Sequence, residues 1–344
     1  MVFTRTFIRR DNTMTSYKHI TTGERELIFL YSNMGYSIRR IGKLLKRSAS
    51  TISRELRRHS GQGFSYSPSN AQRRYKRNKK KCGRKRLLDT SVIKPIIQTL
   101  FIDHQWSPEQ ISNRLKLECP KEFLSYNTIY RAIYRGDFNH CVSVNSRGAL
   151  TRLRRRGKKY GIKKYQDGRG HFYDARSIHD WPDEAIERKE CGHWEADTVL
   201  GKAGKACVVT LVDRKSRFLL IGKAERKKAV DVASTIKNLL SSIPMNKRKT
   251  LTPDRGQEFA HYERISNENH IDCYFADPSS PWQRGTNENT NGLVREYLPK
   301  SVDMTPISDD FIESVAFKIN NRPRKCLGWK TPYEVFYKKV LHLI

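Results

Sequence analysis

GHWEADTVLG (192–201), followed closely by ACVVTLVDR (206–214) and SRFLLIGKA (216–224), is the stretch on which the fold turns. Each run is rich in strand-forming residues and the breaks are short, so the three read as a β-meander. Along the first run His193, Glu195 and Asp197 face one way and Trp194 and Ala196 the other. Acids on such a strand are costly unless they hold a charge partner or a metal. Downstream, AVDVASTIKNLLSSI (229–243) has helical apolar spacing, KTLTPD (249–254) is a short strand, EFAHYERISNEN (258–269) a helix and IDCYFA (271–276) a strand. Residues from Glu288 onward and 307–320 read as helices. The order βββαβαβα predicts an α/β fold, a mixed sheet flanked by helices.

Upstream the texture is all-helical. Thr21 with Glu24 fits a capping box, Ser37 opens a second helix, and Ser48 opens a third through SASTISRELRRHSG. The third helix turns Ser50, Thr51, Ser53, Arg54, Arg57 and Arg58 outward. Two short helices and a tight turn, the second presenting hydroxyls and arginines, predict a helix-turn-helix that binds double-stranded DNA. The plainer alternative is a three-helix bundle with a solvated basic face. RRYKRNKKKCGRKR (73–86) reads as a basic arm. Residues 90–136 repeat the helical theme, with Ser107, Pro108 and Gln110 opening one helix and Arg131 and Arg135 on the outer face of another. This is a second helix-turn-helix or a helical spacer. TRLRRRGKKYGIKK (151–164) carries eight basic residues and reads as a linker that tracks the DNA backbone. The expected domains are 1–61, a basic linker 62–89, 90–137, a basic linker 138–190, and 191–344.

Charge agrees with this division. Residues 1–170 hold 39 Lys/Arg against 11 Asp/Glu, whereas 171–344 hold 28 against 24, so the basic half is the one suited to a polyanion. No lipidation signal, leader-like apolar region or spanning run argues for a membrane. Seven scattered cysteines without CxxC spacing argue against disulfides and a zinc module, and point to a reducing, cytoplasmic setting.

Three distant acids stand out: Asp197, Asp254 at a strand end, and Glu288 in SPWQRGTNENTNG (280–292). Carboxylate oxygens suit Mg²⁺ or Mn²⁺, and two such ions about 4 Å apart can clamp an in-line phosphoryl displacement. Singly each acid has a plainer reading, as a turn residue, a helix cap or an ion-pair member. Glu195 is weighed as an indirect metal contact, Glu296 as an alternative third acid, Asp213 as a turn residue and His193 as structural.

SASTISRELRR, WSPEQI, GHWEADTV, VTLVDRKSRF, LTPDRGQEFA, SPWQRGTNENTNGLVREYLPK and NNRPRKCLGWKTPYEVF resemble stretches of bacterial insertion-sequence transposases of the IS-thirty group. These are DDE enzymes with an RNase H-like core, and the resemblance runs from about residue 17 onward. It implies that Asp197, Asp254 and Glu288 are the catalytic, metal-holding acids. It implies too that the N-terminal helix-turn-helix binds the element's terminal inverted repeats. Metal-dependent cleavage to a 3′-OH and strand transfer by that 3′-OH would follow, through a joined-end circle. Trp282, Arg284, Asn287 and Asn291 would line the DNA side; Arg284, Arg295 and Lys300 are read as phosphate contacts on their chemistry alone. Holding two DNA ends implies a homo-oligomer. The competing readings are a catalytically inactive sequence-specific DNA-binding regulator, a retroviral-type integrase and a polynucleotidyl hydrolase without strand transfer. The integrase reading lacks its N-terminal His/Cys zinc module.

Overall fold

The computed structural model describes residues 18–59, 66–82, 86–89, 91–142, 148–153, 176–202, 206–277 and 280–342. They divide into two compact units, Met1–Lys85 and Arg86–Ile344.

The first unit holds α1 (Thr22–Asn33), α2 (Ile38–Leu44), α3 (Ala49–His59) and α4 (Pro68–Lys81). Thr21 and Glu24 close the expected capping box, and Ser37 caps α2. Gly42 lets α3 approach, since a Cβ there would stand 2.9 Å from the Arg47 carbonyl. The core is small: Ile20, Ile28, Ile41, Ile52, Tyr66 and Ala71. Beneath it lies a buried ion pair, Arg25 Nε to Glu55 Oε1 at 2.7 Å, joined by Gln72 and the Tyr66 hydroxyl. The stretch 62–89, expected as a linker, thus carries a packed helix. Tyr66 and Ala71 are the two core contacts that secure it, too few to give a periodic apolar signal among so many lysines and arginines.

The second unit opens with α5 (Lys94–Ile102), α6 (Pro108–Glu118) and α7 (Tyr126–Arg135), packed through Ile97, Phe101, Ile111, Leu115, Ile129 and Ile133. Ser107 and Gln110 form the expected capping box. Arg114 of α6 then donates to both oxygens of Glu334, at 2.8 and 2.7 Å, tying these helices to the chain's C-terminal helix. Of the expected linker 138–190, residues 154–164 of its basic run lie outside the described residues. The part around α8 (Asp183–Ile186) packs instead: Ile178, Trp181 and Ala185 cluster with Tyr274 and Ala276.

Next come β1 (His193–Leu200), β2 (Cys207–Asp213), β3 (Leu219–Ala224), α9 (Ala229–Ser241), β4 (Thr250–Thr252), α10 (Tyr262–Asn269), β5 (Asp272–Cys273), α11 (Gly285–Tyr297), α12 (Asp309–Asn320) and α13 (Pro332–Tyr337). The sheet order is β3-β2-β1-β4-β5, with β1 antiparallel to β2 and parallel to β4. This is the RNase H-like mixed sheet, flanked by helices. Trp194, Ala196 and Leu211 pack on one face with Val232 and Ile236 of α9. Val199, Val208 and Val212 pack on the other with Leu293 and Val294 of α11 and Ile312 and Val315 of α12. The alternation read along 193–197 therefore turns Asp197 toward the α11 face. β5 is shorter than the expected strand over 271–276, because Phe275 leaves the sheet edge to bridge to Ser177. Among the described residues no helix is long and apolar enough to cross a membrane, and the seven cysteines form no disulfide.

Candidate active site

Asp197 sits in the middle of β1, half-buried, opposite Thr210 of β2. Its Oδ1 accepts the Thr198 amide at 2.8 Å and its Oδ2 accepts Asn291 Nδ2 of α11 at 2.7 Å. Burial pushes its carboxyl up to about 6; Arg284 pulls it down, while Asp254 and Glu258 add their repulsion. Asp254 lies two residues beyond β4, and the parallel pairing of β4 with β1 brings it beside Asp197. It too is raised by burial, against Arg284, with Glu258 contributing. Gly256 makes room for this crowding: a Cβ there would meet both Glu258 Oε2 and Asp254 Oδ1.

Glu258 is a residue that sequence reasoning passed over. The helix over 258–269 begins only at Tyr262, and Glu258 lies buried in the 3₁₀ turn before it, where Oε1 accepts the Thr198 hydroxyl at 3.0 Å and pairs with Lys227 at 2.8 Å. The signal was its position four residues after Asp254 in the same loop.

Helix α11 supplies the other wall. Its N-cap Arg284 and residues Glu288, Asn291 and Arg295 recur at helical spacing and share one stripe. Arg284 donates to the Ala196 carbonyl, Asn291 to Asp197, and Arg295 to the Leu200 carbonyl, so the stripe runs along β1. Glu288 stands exposed within it and makes no hydrogen bond or ion pair with the two aspartates. Among the described residues no three His, Cys, Asp or Glu side chains lie close enough to hold a metal ion. Asp197 and Asp254 themselves fit a hard divalent cation: two neighbouring half-buried carboxylates, each raised by burial, with oxygen-only donors.

The remaining acids have other work. Glu195 is wholly buried and its Oε2 accepts the Asn287 amide at 2.9 Å, anchoring the first turn of α11. Asp213 organises the turn after β2 through the amides of Gly192 and Ser216. Glu296 pairs with Arg322 at 2.8 Å, and His193 Nδ1 lies 2.9 Å from the Thr250 hydroxyl. Asn287 is buried and inward, whereas Trp282 is 75% exposed. On α3, Ser50, Arg54, Arg57 and Arg58 face solvent, with Thr51 and Ser53 half-buried. Arg131 and Arg135 are exposed on α7, Arg135 paired with Asp137 at 2.6 Å, and Lys300 is exposed beyond α11.

Comparisons with known proteins agree with this architecture. Residues 16–59 match a helix-turn-helix domain family and residues 187–281 an integrase core domain family. The chain is 36% identical to the transposase for insertion sequence element IS1086 of Cupriavidus metallidurans, over 94% of this chain and 95% of that one. It is also 36% identical to the transposase InsI for insertion sequence element IS30A of Escherichia coli, over 94% and 84% of the two chains. Among solved structures, the catalytic core domain of BIV integrase aligns at 19% identity over 43% of this chain and 95% of that one, with a TM-score of 0.34.

Proposed function

This chain belongs to the insertion-sequence transposase family, and from that premise we propose that Asp197, Asp254 and Glu288 are its catalytic acids. The observation that carries the reading is the Asn291–Asp197 hydrogen bond: it docks on β1 the same helical stripe that bears Glu288. Asp197 and Asp254 would hold Mg²⁺ or Mn²⁺, one ion or two, with Glu288 as the third ligand once DNA is bound. When bound, such ions supply charge neutralisation and activation of the attacking oxygen. The chain's own groups bind and orient. Arg284, at the head of the stripe and close enough to act on both aspartates, is suited to a phosphate, and Trp282, two residues before it, offers an exposed ring. The hydroxyls and arginines of α3 read the element's terminal repeats, Arg131 and Arg135 add backbone contacts, and a homo-oligomer holds two ends together. The reaction is attack of water on a phosphodiester to release a 3′-OH, then attack of that 3′-OH on a second phosphodiester.

Asp254→Asn tests this. It keeps the acceptor for the Gly256 amide and removes one charge, so folding and end binding should persist. Cleavage in Mn²⁺ of DNA carrying the element's ends should fall on the order of 10³-fold or more, the worth of several kcal/mol of metal assistance. Undiminished cleavage by this variant would end the assignment. A wild-type chain that binds ends and never cuts them would be a regulator instead.

A further inference from the structure

Away from the acids, the first turn of α11 borders a cavity of about 240 Å³. Arg188, Arg217 and Arg324 line it together with Gly285, Thr286 and Asn289, and among the described residues no acid does. Arg188 Nη2 lies 3.4 Å from the Thr286 hydroxyl, and Arg217 Nη1 donates to the same oxygen. Arg214 lies close behind, buried, with its Nε and Nη1 lacking any hydrogen-bond partner. These guanidiniums oppose one another. Burial lowers Arg188, and Arg217 lowers it further; burial brings Arg214 down to about 10, with Arg188 and Arg217 acting the same way. The nearest counter-charge, Glu195 Oε1 at 3.9 Å from Arg214 Nε, stands beyond hydrogen-bond reach, while its other oxygen holds the Asn287 amide. Both Arg188 and Arg217 stand on left-handed backbone, with φ of 55° and 64°. Side-chain-bearing residues adopt that region at a cost and only where their surroundings hold them there.

Converging guanidinium forks, a hydroxyl and the positive end of a 13-residue helix make a receptor for a tetrahedral oxyanion. The space in front of Gly285 is open, and the cavity far exceeds the roughly 30 Å³ share of one water. We propose that this cavity is a phosphate-binding site, taking one phosphate group either from the DNA backbone or as free phosphate. It lies on a different face of α11 from the stripe over β1 and does not depend on the assignment of the acids. Because Thr286 precedes Glu288 by two residues, a phosphate held here also pins the turn on which Glu288 stands.

The test uses the full chain without divalent metal, so loss of cleavage in Asp254→Asn has no bearing on it. Three variants are compared with wild type: Arg217→Gln, Asn289→Asp, and Asn267→Asp on an exposed position of α10 as control. Asn289→Asp puts a carboxylate at the cavity on an exposed position of α11, so folding is not at risk. If free phosphate is the ligand, inorganic phosphate raises the wild-type melting temperature by about 2–4 °C over chloride at equal ionic strength. That rise is lost in Arg217→Gln and Asn289→Asp and kept in Asn267→Asp. If the ligand is a backbone phosphate, the slope of log affinity for duplex DNA against log salt shrinks by about 0.9 in the two cavity variants and not in the control. Either pattern supports the site and names its source. Unchanged melting and unchanged slopes, or an equal effect in Asn267→Asp, overturn it.

Discussion

Glu195 stands two residues before Asp197 on the same strand face, yet its carboxylate serves helix α11 by accepting the Asn287 amide. Removing it would leave that amide and the Arg214 guanidinium buried without their counter-charge. Glu195→Ala is expected to cost about 3–5 kcal/mol of unfolding free energy, read by chemical denaturation, and to lower cleavage with it. Glu195→Gln keeps an acceptor for the amide and should recover a large part of both. Strand alternation made the facing of Glu195 and Asp197 legible, since period two is written directly in the residues. What the sequence could not carry was which acid meets which partner. Glu258 reaches Thr198, 60 positions away, and Glu195 reaches Asn287, 92 away, and such pairings exist only once the sheet has closed.

Elements were legible wherever a local device marks them. The capping boxes at Thr21 and Ser107 open helices where they were expected, because a cap is a contact among four consecutive residues. Helix α4 escaped because its burial rests on Ala71 and Tyr66, set among charges. The docking of α6 on α13 also escaped, since it runs through Arg114 and Glu334, 220 positions apart. That contact makes a pH prediction. Burial alone would raise the Glu334 carboxyl, but the Arg114 bonds and the amides of Thr331 and Leu341 overcome it and hold it at about 2. A carboxyl lower in the folded chain than in the unfolded one adds stability above the unfolded value of 4.5 and loses it as pH falls toward 2. Wild type should therefore lose stability over that interval, and Glu334→Gln should be weaker at pH 7 and flatter across it, as followed by thermal melts.

At the scale of the whole molecule, charge and core size diverge between the two units. The first is basic and rests on six buried residues and one buried ion pair, Arg25 with Glu55. Glu55→Ala strands a buried guanidinium at a cost of about 3–5 kcal/mol, a large share of what so small a core can hold. Scanning calorimetry of the full chain should then lose the transition of the first unit while the second, with its own sheet core, still melts. Binding to the element's ends should fail in the same variant. In wild type that binding should weaken steeply as salt rises, because the basic half of the chain, 39 Lys/Arg against 11 Asp/Glu in residues 1–170, is suited to a polyanion and binding through phosphates releases counterions.

Of the five tryptophans, Trp106, Trp181 and Trp194 are buried and Trp329 is half-buried, while Trp282 is 75% open to water at the entry to α11. The long-wavelength edge of the chain's fluorescence should come from that indole. Anything that covers the entry would shift or quench it, so the protein carries its own optical gauge of occupancy, with no dye attached.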